Sequence, residues 1–96
     1  MQNSQAGKVI SSDPAISVFP NPTTGKFTVS FISENESKYT LKVFDILGET
    51  IIQKTIQSIE GINSREVDLS DSPKGIYLLM MYRDGEALKG VKIIVE

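Results

Sequence analysis

Ninety-six residues with a formal charge of −2, 40% hydrophobic and 23% charged, describe one globular domain with little room for a cleft beside its core. The chain has no Cys, no His and no Trp. That removes thiolate and disulfide chemistry, the commonest general base and metal ligand, and the usual platform for stacking a sugar or a base. Basic residues form no block, so no nucleic-acid partner is expected, and no run approaches the ~20 apolar residues of a membrane helix.

Residues 1–15 are polar and carry no periodic pattern, which predicts a linker or loosely attached arm before a domain spanning residues 16–96. Ile16 to Phe19 predicts a first strand, stopped by Pro20 and Pro22, which cannot donate to a ladder. Asn21 is expected to bond its own backbone two residues on, and Gly25 to take positive φ. Lys26 to Ile32 alternates with Phe27, Val29 and Phe31 on one face. Lys38 to Ile46 predicts a third strand with Tyr39, Leu41 and Val43 inward, closed by a tight Asp45–Gly48 connection.

Glu49 to Gln57 has an irregular pattern, which predicts an edge strand or a bulge. Glu60 to Asn63 reads as a turn and Ser64 to Leu69 as a short fifth strand, followed by a loop in which Pro73 fixes φ. Gly75 to Arg83 is apolar at both parities, which predicts a central strand buried on both faces. Asp84-Gly85 is the sharpest hairpin signal, and Glu86 to Val95 completes the set. About seven strands, and no helical period, predict an all-β, immunoglobulin-like antiparallel β-sandwich.

No residue set here supports catalysis. Ser residues lack a His base, and the carboxylate pairs Asp68 with Asp71 and Asp84 with Glu86 sit in or beside turns, where Asp serves the backbone. No cofactor or metal is expected. Converging turn carboxylates nonetheless leave loop calcium binding open, and Tyr39, Tyr77 and Tyr82 leave a sugar-binding strip open. The alternative reading is therefore a carbohydrate- or calcium-binding β-sandwich module appended to a secreted enzyme. Lys42 and Asp45, on the third strand, leave an isopeptide crosslink open.

Four segments stand out by their order: Pro20-Asn21-Pro22-Thr23-Thr24-Gly25, Phe44-Asp45-Ile46-Leu47-Gly48, Asp68-Leu69-Ser70 with Pro73-Lys74-Gly75-Ile76-Tyr77, and Lys92-Ile93-Ile94-Val95 before Glu96. At these segments the chain resembles the type A C-terminal sorting domain carried by cargo of the type IX secretion system in Bacteroidetes, from about Ile16 to Glu96. The resemblance implies a domain at the end of a larger secreted protein, and the domain is expected to be a monomer. It implies folding in the periplasm and recognition by outer-membrane type IX translocon components. It also implies removal by a sortase-like cysteine protease cutting within Gly7 to Ala15, with the cargo released or held at the cell surface. Lys92, Ile93, Ile94, Val95 and Glu96 carry the expectation of translocon recognition. Strand addition at an exposed last strand is the expected mode.

Overall fold

The computed structural model describes residues 15–96. It is an all-β sandwich of seven strands: β1 (Ile16–Phe19), β2 (Lys26–Ser33), β3 (Lys38–Phe44), β4 (Thr50–Gln57), β5 (Gly61–Asp68), β6 (Gly75–Arg83) and β7 (Glu86–Val95). One sheet has the order β1-β2-β5 and the other β4-β3-β6-β7, with every strand pair antiparallel. The arm predicted for residues 1–15, with its cleavage segment from Gly7, lies outside the described residues up to Ala15.

Period-two alternation accounts for the core. Phe27, Val29 and Phe31 of β2 and Tyr39, Leu41 and Val43 of β3 are all buried, as their alternation predicts. They meet Val67, Leu69, Tyr77, Leu79, Met81, Ile93 and Val95 between the sheets. Phe31 and Tyr39 stack edge to face, with ring centroids 5.1 Å apart. The Tyr39 hydroxyl lies 3.1 Å from Ser33 Oγ, which in turn accepts from Ser58 Oγ, so this buried phenol keeps a polar partner.

Turn chemistry closes the hairpins. Asp84 and Gly85 both take positive φ (54° and 79°), which matches the right-handed twist of β6 and β7. The irregular β4 is an edge strand of its sheet, and its register against β3 slips at Val43/Phe44, so both readings of its pattern hold.

Two boundaries differ from expectation by more than one residue, and one face differs as well. β3 ends at Phe44, not Ile46, because Asp45 Oδ1 captures the Leu47 and Glu49 amides at 2.9 Å and folds the chain there. β5 begins at Gly61, not Ser64. The Asn63 side chain bonds Ile59 N–H, Ile59 C=O and Gly61 C=O, closing the turn from inside the strand.

β6 is central in its sheet but buried on one face only. Tyr77, Leu79 and Met81 point into the core, while Ile76 and Leu78 are 50% and 43% exposed on the outer face, where the described residues supply no cover.

Candidate functional site

Antiparallel order sends all the distinctive segments to one pole. β1, β3, β5 and β7 end there and β2, β4 and β6 begin there, so the 20–25, 45–49 and 69–74 loops surround the C-terminal residues Val95 and Glu96. Ile16, where the chain enters the sandwich, sits at the opposite pole with the 84–85 hairpin.

The first loop clasps the last strand. Asn21 does not cap its own turn; its Nδ2 donates to Lys92 C=O at 2.8 Å and its Oδ1 accepts from Ile94 N–H at 3.0 Å. Thr23 continues the zip: its N–H donates to Ile94 C=O at 2.8 Å, and its C=O accepts from Glu96 N–H at 2.9 Å, a short parallel bridge to Val95.

The expectation of an open last strand is thereby corrected over Lys92 to Glu96. Lys92 C=O, both backbone groups of Ile94 and Glu96 N–H are already paired, which removes most of the donors and acceptors a receptor strand would use there. The span of seventy-odd residues between Asn21 and its partners explains why no local pattern announces the contact.

The loop that holds the clasp is itself held by close packing. Buried Thr23 donates through Oγ1 to Lys26 C=O and accepts there from Gly25 N–H. Gly25 has φ +144°, and its C=O accepts from Leu69 N–H at 2.8 Å. Asp68 caps the facing loop by accepting from Ser70 Oγ and Ser70 N–H. The Ser70 side-chain hydrogen bond, followed by its backbone N–H, holds the Asp68 carboxyl below its ordinary value.

Tyr77, at the start of β6, sends its hydroxyl back to Pro73 C=O, the corner that immunoglobulin-like sandwiches build from a tyrosine. Pro20 and Pro22 flank Asn21, and Gly48 and Gly75 occupy positive-φ turn positions, so the remaining motif residues serve the shape of this pole.

The five tail residues divide by parity. Ile93 and Val95 are core, Ile94 is half-buried, and Lys92 and Glu96 are exposed. In the folded domain Lys92, Ile94 and Glu96 are the tail side chains that reach the surface. Two residues of the second motif went unassigned in the sequence: Ile46 and Leu47 form the tip of the Asp45–Gly48 turn, 79% and 82% exposed. Their signal was that the turn needs only Asp45 and Gly48; large apolar residues between them contribute nothing to it.

Other candidates separate. Tyr39 and Tyr77 are buried and leave only Tyr82 half-exposed, beneath Lys42 Nζ at 5.1 Å. Lys42 and Asp45 have different partners, the Tyr82 ring and the turn amides. No group of three or more His, Cys, Asp or Glu that could hold a metal ion occurs among the described residues.

Asn21→Ala is expected to lower stability by about 1–2 kcal/mol, the loss of two hydrogen bonds near the surface. The melting temperature should fall by roughly 5–15 °C. Hydrogen exchange should quicken at the Ile94 amide before the Leu79 amide. Equal quickening at both would show that Asn21 is not a local clasp.

The family described as secretion system C-terminal sorting domain matches residues 17–96. No curated protein matches the chain. Among solved structures, an immunoglobulin-like protein from Pseudomonas aeruginosa superposes with a TM-score of 0.52 at 14% identity, over 91% of this chain and 94% of that one; the likeness is one of fold.

Proposed function

This chain belongs to the family of secretion system C-terminal sorting domains, and from that premise we propose that it is a type A address label of the type IX secretion system in a Bacteroidetes bacterium. In this reading residues 16–96 form the label and residues 1–15 the arm that joins it to its cargo. The domain folds in the periplasm and is recognised by outer-membrane translocon components. A sortase-like cysteine protease cuts within Gly7 to Ala15, and the cargo ends outside the cell or on its surface. The label performs no chemistry of its own.

One observation carries this reading. The distinctive segments meet at the pole opposite Ile16, and the first of them fastens the last through Asn21 and Thr23. Cargo at one pole leaves the other free to be read. A fastened tail presents Lys92 and Glu96 in one geometry, which lowers the ordering cost of recognition. The sugar- or calcium-binding alternative is not favoured, since Tyr39 is buried in the core.

The test is a secreted carrier fused to the whole chain in a host with this secretion pathway, with and without Lys92→Ala/Glu96→Ala. Export of the parent fusion and periplasmic retention of the double variant, both melting alike, are expected. A parent fusion that stays in the periplasm would overturn the sorting role. An exported double variant would overturn recognition through the tail.

A further inference from the structure

The outer face of the four-stranded sheet is an unassigned surface. By register, Phe44, Ile76, Leu78, Met80, Tyr82 and Ile94 all point away from the core. Met80 lies across β7 because its partner is Gly90, where a Cβ would stand 2.6 Å from the Met80 sulfur. At the motif pole this stripe runs into two adjoining depressions of ≈ 190 and ≈ 290 Å³, which share Asp45, Ile46, Ile76 and Tyr77. Lys92 lines one and Lys74 the other. A continuous apolar strip rimmed by polar residues marks an interaction site more often than a bare surface.

Charge says what chemistry covers it. Lys38, Lys42 and Lys92 share this face by register, and among the described strand residues no carboxylate does. Glu96 and Asp45 flank the strip at the motif pole, where Lys92 and Lys74 also stand, so lysines outnumber carboxylates along the face as a whole. Asp45, at the edge, spends one carboxylate oxygen on its own turn amides. Concavity favours side chains over a flat lipid surface, because the depressions have room for a few side chains between Ile46 and Leu78.

We propose that this face is a second docking surface, which takes an apolar peptide segment bearing carboxylates from a protein partner. It goes beyond the tail reading, since its residues lie on β3 and β6 as well as β7. The stripe supplies burial and the lysines select the sign of the occupant.

The test uses the whole chain, isotope-labelled, titrated with a synthetic peptide alternating leucine with glutamate. The same peptide with lysine for glutamate, and phosphatidylglycerol vesicles, serve as the other arms. The acidic peptide is expected to shift the amides of Ile46, Leu47, Ile76 and Leu78 and to bind about tenfold tighter than the basic one. Lys42→Glu/Lys92→Glu should reverse that preference, and Leu78→Ser should weaken binding at a temperature where its own melting curve shows it still folded. Equal affinity for both peptides, shifts confined to the other sheet, or tighter binding to the vesicles would overturn the proposal. None of these outcomes depends on whether the carrier fusion is exported.

Discussion

Deleting Lys92 to Glu96 is expected to unfold the domain, not merely to silence a signal. Ile93 and Val95 are core residues that pair with Tyr77 and Gly75 of β6, and the segment also receives the whole of the Asn21–Thr23 clasp. Truncating a single buried aliphatic side chain costs about 2–5 kcal/mol. Removing two, with their ladder, costs about 5 kcal/mol or more, which is the lower end of the total stability of a small domain, roughly 5–15 kcal/mol. Thermal unfolding followed by circular dichroism should therefore lose its cooperative transition. A deletion that still melted cooperatively within a few degrees of the parent would refute this packing.

The consequence for function is practical. Loss of export on truncation follows from unfolding alone, so it says nothing of recognition. Outward substitutions at Lys92 and Glu96 separate the two, because those side chains are exposed while their neighbours hold the core.

Gly25→Ala is expected to destabilise the domain more than a glycine substitution made in open space. A Cβ at this position would lie 2.8 Å from Ser70 Cα and 3.1 Å from Ser70 N, and backbone atoms cannot rotate aside. The φ of +144° is also one that a residue with a side chain rarely adopts. Relief by moving residue 25 would break the Leu69 N–H to Gly25 C=O bond and loosen Thr23, the inner half of the clasp.

Strain and lost contacts together are expected to cost about 2–4 kcal/mol. Gly48→Ala supplies the contrast. Its φ is +86°, but nothing lies within 4 Å of the added carbon, so only backbone strain of about 1–2 kcal/mol should appear. Equal losses at the two positions in chemical denaturation would mean that the approach of Ser70 is not what constrains Gly25.

Local chemistry made most of the architecture legible. Alternation in β2 and β3 identified the inward residues, and Asp84-Gly85 announced its hairpin, because side-chain parity and turn φ are properties of adjacent residues. The roles of Asp45 and Asp68 as turn caps were legible for the same reason: each carboxylate reaches only a few residues along the chain. The misread boundaries of β3 and β5 came from side chains, Asp45 and Asn63, that compete locally with the ladder, whereas the misread face of β6 was set by neighbours in space. β6 has the composition of a strand covered twice, but the order of strands leaves its outer face open.

By itself, then, the sequence determined a small all-β sandwich, its strand count, most of its core and most of its turns, since all of these follow from patterns a few residues long. Only the tertiary structure decided that the distinctive segments share one pole, that Asn21 fastens β7, and that the described residues leave a basic apolar face uncovered beside them. The physical reason is distance along the chain. A hydrogen bond between residues 21 and 94 leaves no trace in the period of either strand, because it is set by which strands lie side by side and which way they run.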